Sequence, residues 1–206
     1  MADSATTHSR KPVQERSRER VEKVMAAAES LLLELGPEDT SIPEVALRAG
    51  VPRASIYPFF PNKYALFLAL GDNHLKQVSQ LVQSISTRLG TVDWKALVRE
   101  AVNAASDYYN RNPVAGLLIL GGPMSRTGYQ SQEFTIQDIG QHLRPLFNAL
   151  QPEQPLPEDP DVITIAVEIS FACMRHSWFT HERITPLMAE QASLAAIAYL
   201  GIWLKD

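Results

Sequence analysis

The chain has 206 residues, 45% hydrophobic and 20% charged, a composition that supports a folded core and argues against a disordered chain. A single cysteine, Cys173, excludes an internal disulfide framework and any multi-cysteine metal site. The net charge of −4 looks unfavourable for a nucleic-acid binder, but residues 1–65 carry nine Lys/Arg and nine Asp/Glu, so the acidic excess lies entirely beyond them.

Within residues 10–23 six cations (Arg10, Lys11, Arg16, Arg18, Arg20 and Lys23) stand against three Glu. Residues 1–15 read as a flexible basic arm; the stretch Arg10–Arg20 is suited to reach a minor groove as such arms do, with an untethered disordered tail as the equal alternative. The first twenty residues contain no apolar run of the kind a signal peptide needs. No stretch approaches the roughly 20 uncharged apolar residues of a membrane helix. The expectation is a cytoplasmic protein without membrane association.

Val21, Val24, Met25, Ala28, Leu32 and Leu35 recur at helical spacing, which predicts a first helix ended by Gly36-Pro37. In "SIPE", Ser41 and Glu44 have the capping-box spacing, and Pro43 falls in the first turn, where its missing N–H costs little. A second, short helix then runs from Ile42 to about Ala49 and is closed by Gly50. A third is expected from about Pro52 to Phe59, with Pro58 ending or tightening it because it cannot donate to the carbonyl of Ala54. Asn62 is placed to cap a long helix reaching Leu89. Further helical segments are expected at 93–110, 112–120, 131–150, 161–181 and 187–204, with loops at 120–130 and 151–161. No strand alternation stands out.

Two short helices joined by a Gly-containing turn form a helix-turn-helix, whose second helix enters the major groove. In "AGVPRASIYPFF" the apolar Val51, Ile56 and Phe60 face the core, which leaves Arg53, Ala54, Ser55, Tyr57, Pro58 and Phe59 on or near the outer face. Arg53 suits guanine edges or phosphate, Ser55 suits either, and Ala54 or Pro58 suits thymine methyls. Lys63, at the start of the next helix, adds its charge to a positive dipole end, a phosphate clamp.

Residues 16 to 70 resemble the DNA-binding domain of TetR/AcrR-type transcriptional regulators. The resemblance rests on Gly36, Thr40-Ser41, Val45-Ala46, Ala49-Gly50-Val51, Ile56-Tyr57, Phe60, Lys63 and Leu66, which agree in type and spacing. It implies DNA contacts at Ser41, Arg48, Arg53, Ala54, Ser55, Tyr57, Phe59 and Lys63. Pro43 and Pro58 depart from the pattern and bear on which operator is read. The implied architecture is all-α: an N-terminal three-helix helix-turn-helix domain (16–65), then a larger helical ligand-binding and dimerisation domain (66–206).

Segment 161–181 is apolar on two faces, one through Val162, Ala166, Ile169 and Cys173, the other through Ile163, Val167, Met174 and Trp178. A helix apolar on two faces is covered on both. The next segment carries the small residues Ala189, Ala192, Ser193 and Ala196 along one stripe. Together the two C-terminal helices look like a homodimer interface, where the family dimerises; a monomer core filling both faces is the other possibility. The resemblance also implies a small-molecule pocket whose occupation releases DNA. Trp94, Tyr108, Phe147, Phe171, Met174 and Trp178 are its candidate lining, although each also suits a plain core. His142 and His176 are candidate polar anchors, while Asn103 and Asp107 project to solvent.

The function expected is a homodimeric repressor that binds a two-fold symmetric double-stranded DNA operator and is released by a small, largely apolar effector. No catalytic grouping, phosphate loop, cofactor or metal site is suggested; His176 and His181, five apart, lie roughly 140° off a common helical face. Two alternatives stay open: an adaptor that keeps the fold without DNA binding, and a helical enzyme with an accessory helix-turn-helix.

Overall fold

Helix α1 spans Arg10–Asp39 and buries Val24, Ala27, Ala28, Leu31 and Leu32 along one side. Its backbone breaks at Gly36, whose φ of 77° and ψ of 174° are not helical, and Pro37 starts a last short turn. Leu35, expected on the apolar face, lies just before that break and is exposed instead. The computed structural model describes residues 10–88, 93–122, 125–150, 152–153 and 155–204. Residues 1–9 of the expected arm and Leu89 lie outside the described residues; residues 10–15 belong to α1.

Helix α2 (Ile42–Ala49) begins as its sequence predicts, with Ser41 as N-cap and Pro43 in the first turn. Ser41 Oγ accepts from the Glu44 amide at 3.5 Å and donates to Glu44 Oε2 at 2.8 Å, so the box closes side chain to side chain. At the other end Gly50 adopts φ 63°, ψ 36°, a left-handed conformation that favours a residue without Cβ. Gly50 N–H then donates to Leu47 O at 3.2 Å and Val51 N–H to Ala46 O at 3.1 Å, the paired bonds of a Schellman ending.

Helix α3 (Lys63–Arg88) is capped by Asn62, whose Oδ1 accepts from the Ala65 amide at 2.9 Å. The chain divides into two compact units between Leu70 and Gly71, within α3. The first unit's core combines the buried face of α1 with Ile42, Val45 and Ala46 of α2, Ile56, Phe60, and Leu66, Phe67 and Leu70 of α3.

The second unit contains the rest of α3, then α4 (Trp94–Arg111), α5 (Pro113–Ala115), α6 (Arg126–Leu150), α7 (Val162–His181) and α8 (Pro186–Leu200). A π-helical turn, Gly116–Leu120, follows α5, closed by Gly121 N–H donating to Gly116 O at 2.9 Å. The ring of Trp178 explains Gly116: a Cβ there would fall 2.2 Å from it. Loop 120–130 is shorter than the sequence suggests, because α6 starts at Arg126. The proline-rich connector is pinned by Arg144, which donates to Leu156 O at 2.9 Å, Pro157 O at 3.1 Å and Asp161 Oδ1 at 2.6 Å. Asp161 in turn caps α7 through the Ile163 and Thr164 amides. No strand occurs among the described residues.

Candidate nucleic-acid interface and ligand cavity

The segment after Gly50 differs from the expected helix over Pro52–Phe59. It forms one 3₁₀ turn, Arg53–Ser55, followed by turns to Phe59. Ser55 N–H donates to Pro52 O at 2.9 Å and Ile56 N–H to Arg53 O at 3.1 Å, both at three-residue spacing. Pro58 has no N–H for the carbonyl of Ala54, so that four-residue bond is missing. Phe59 and Phe60 both donate to Ile56 O at 2.9 Å. Buried Ile56 and Phe60 anchor this compact recognition turn, while Val51 is only half-buried.

The candidate DNA-contacting side chains fall into two groups. Arg53, Ala54, Tyr57 and Phe59 are exposed on the recognition turn. Arg53 Nε donates to Tyr57 Oη at 2.6 Å, and its guanidinium carbon lies 5.4 Å from the ring centroid, so the two present one preorganised cationic edge. The others are engaged within the unit. Ser55 Oγ donates to Pro52 O at 2.6 Å, and Ser41 serves the α2 cap. Arg48 binds Glu34 with both terminal nitrogens, at 2.6 and 2.7 Å, and Ser30 Oγ at 2.8 Å. Hydrogen bonds from Arg48 and then Ser30 hold the Glu34 carboxyl down to about 2, and Glu34 raises the Arg48 guanidinium.

Lys63, at the start of α3, turns toward the end of α1. Its Nζ donates to Pro37 O at 3.0 Å and Glu38 O at 2.6 Å, at the end of α1. A cation is disfavoured at the positive start of its own helix and favoured by carbonyls at the end of another. Leu47, beside Arg48 on α2, is strongly exposed and was missed by the sequence reading; its position opposite the buried Ile42, Val45 and Ala46 face was the available signal.

In the second unit, α3, α4, α6, α7 and α8 enclose a partly open cavity of about 80 Å³. Phe147, Phe171 and Met174 line it. Trp94, Tyr108 and Trp178 do not: Trp94 is core, Tyr108 Oη bonds His74 Nδ1 at 2.8 Å, and Trp178 packs over Gly116. His142 and His176 are exposed and lie outside the lining, and Asn103 and Asp107 face solvent as expected. Sequence reading missed the α3 contribution, Leu75, Val78 and Val82, and the buried Tyr109. Burial, then the neighbouring Tyr108, pushes the Tyr109 phenol up, so it stays protonated.

The small-residue stripe of α8 is also corrected. Ala189, Ala192, Ser193 and Ala196 are all buried, and α8 packs on α7 and α4 of its own chain. Small side chains there permit close intramolecular approach and are not open to a second copy. Large apolar residues left outward on or near the C-terminal helices include Phe179 (67% exposed), Leu187 (70%), Ile202 (69%) and Leu194 (41%). No helix among the described residues is long and apolar enough to cross a membrane.

Residues 24–70 match the family model described as bacterial regulatory proteins, tetR family. Over 80 residues the chain is 30% identical to the HTH-type transcriptional regulator EthR of Mycobacterium tuberculosis, a stretch covering 39% of this chain and 37% of that relative's length. Its fold is similar to the crystal structure of a TetR-family transcriptional regulator from Streptomyces coelicolor, with TM-score 0.63 and 27% identity over 92% of this chain and 100% of that one. It is also similar to Thermus thermophilus FadR, a TetR-family transcriptional repressor solved in complex with lauroyl-CoA. That match has TM-score 0.66 and 18% identity, over 90% of this chain and 96% of that one.

Proposed function

We propose that this chain is a tetR-family transcriptional regulator with an N-terminal DNA-binding helix-turn-helix, a homodimeric repressor that binds a two-fold symmetric operator and is released by a small, largely apolar ligand. The observation that carries the DNA-binding half is the recognition turn itself. A Schellman-capped α2, a left-handed Gly50 and buried Ile56 and Phe60 hold the Arg53–Tyr57 edge outward. Arg53 is the side chain suited to a base edge, and Ala54 and Phe59 offer apolar contact to thymine methyls.

Dimerisation supplies the second recognition turn that a two-fold site requires. Phe179, Leu187, Leu194 and Ile202 are outward apolar residues that a second copy would cover. The cavity supports the ligand half: its walls are almost wholly apolar, as small-molecule sites mostly are. A repressor of similar fold holds lauroyl-CoA, so the fold admits a small-molecule ligand with an apolar chain. A ligand that prefers the DNA-incompetent arrangement of a dimer lowers operator affinity by shifting population toward it.

The test is selection of genomic fragments by the purified protein at stated salt, together with sedimentation. A palindromic site with half-sites about one helical turn apart supports the reading, and a sedimentation mass near 22.9 kDa at micromolar concentration overturns the dimer. A protein-binding adaptor is the second reading, favoured by the internal engagement of Arg48 and Lys63. Salt-independent or absent DNA binding would select it.

A further inference from the structure

We propose that the cavity takes an uncharged ligand carrying one hydrogen-bond acceptor, such as a ketone, ester or ether oxygen, and that the Tyr109 hydroxyl is the donor that selects it. The proposal rests on the reading of the cavity as the effector site. Two of the lining hydroxyls are already engaged: Thr135 Oγ1 donates to Ser131 O at 3.0 Å and Ser170 Oγ to Ala166 O at 3.0 Å, each within its own helix. Tyr109 is 2% exposed, lines the cavity, and has no hydrogen-bond partner for its hydroxyl among the described residues.

A hydroxyl that faces an otherwise apolar cavity without a protein partner is available to a ligand acceptor, and a hydrogen bond formed there adds to the ligand's affinity. The phenol stays protonated, so its O–H is available to donate to an acceptor on the ligand. No Lys, Arg, His, Asp or Glu is among the lining residues. Arg175 stacks its guanidinium 5.0 Å from the Phe171 ring centroid but is not part of the wall. A carboxylate or ammonium entering the cavity would therefore be desolvated without a counter-charge, and such ligands are excluded. The small volume favours a slender chain over a bulky ring system.

The test uses the full-length, DNA-free protein and three probes of similar size: methyl butyl ketone, its methylene isostere in which =CH₂ replaces the carbonyl oxygen, and hexanoate. Affinities are compared between wild type and Tyr109→Phe, because the hydrocarbon gains more from leaving water and the raw ratio would mislead. Loss of one neutral hydrogen bond should weaken the ketone roughly three- to ten-fold in Tyr109→Phe and leave the isostere nearly unchanged, with hexanoate binding neither protein. The infrared carbonyl stretch of the bound ketone should lie lower in wild type than in the variant. Equal effects on ketone and isostere, an unshifted carbonyl stretch, hexanoate binding as tightly as the ketone, or no probe binding at all would each overturn the proposal. Because no DNA is present, a failed operator experiment leaves these outcomes untouched.

Discussion

Arg48 reaches from α2 to α1 and holds Glu34 through both terminal guanidinium nitrogens, at 2.6 and 2.7 Å, with Ser30 completing the contact. A residue expected to meet DNA ties the two helices of the first unit together. A planar fork matched to a carboxylate is the geometry arginine serves best.

That bridge sets a pH dependence whose sign is fixed. The Glu34 carboxyl is held at about 2 against an ordinary 4.5. Its contribution to the folded unit is therefore complete above pH 4.5 and is lost as pH falls toward 2. A carboxyl titration by NMR should give about 2 for Glu34 in wild type and a value returning toward 4.5 in Arg48→Ala. An unchanged value in the variant would show that Arg48 is not the cause.

Arg53 and Tyr57 should act as one unit on DNA. Arg53→Ala is expected to weaken operator binding by about 1–3 kcal/mol and to relax preference at one base position. Tyr57→Phe removes the hydroxyl that orients Arg53, so it should cost less, and the double variant should be no worse than Arg53→Ala alone. Fluorescence anisotropy on a labelled operator measures all three. Additive losses would mean that Tyr57 makes a DNA contact of its own.

Lys63→Ala should destabilise the first unit by about 1–3 kcal/mol in urea unfolding, through loss of the charged donor to Pro37 O and Glu38 O. If Lys63 serves only those carbonyls, the slope of log affinity against log salt stays as in wild type. A slope reduced by about 1 would reveal a phosphate contact as well.

Gly116→Ala places a methyl against the Trp178 ring and should cost about 1–3 kcal/mol in the second unit. The same substitution in a Trp178→Leu background should cost less, because the group in the way has been removed. Equal costs in both backgrounds would indicate backbone strain rather than the ring.

The local features were readable in advance because their partners lie a few residues away. Ser41 and Glu44 are three apart, and Asn62 caps Ala65. Pro58 signalled that the recognition helix would tighten, though the sequence still suggested a helix where a single 3₁₀ turn formed. The internal partners of Arg48 and Lys63 were not legible because they stand 14 and 25 residues away along the chain, and residue type alone does not reveal a distant carboxylate or carbonyl.

Periodicity identified the two apolar faces of α7, and it is a property of the sequence alone. Whether those faces meet completely or leave a gap depends on how five helices approach one another, so only the tertiary structure separated Phe147, Phe171 and Met174, which line the cavity, from Trp94, Tyr108 and Trp178, which do not. The small residues of α8 carry the same lesson: sequence established that a helix could come close there, and packing decided that it is α7 of the same chain. Helices, caps and turn were set by bonds along the chain, whereas the cavity and the engaged cations were set by contacts between distant segments, which no local spacing encodes.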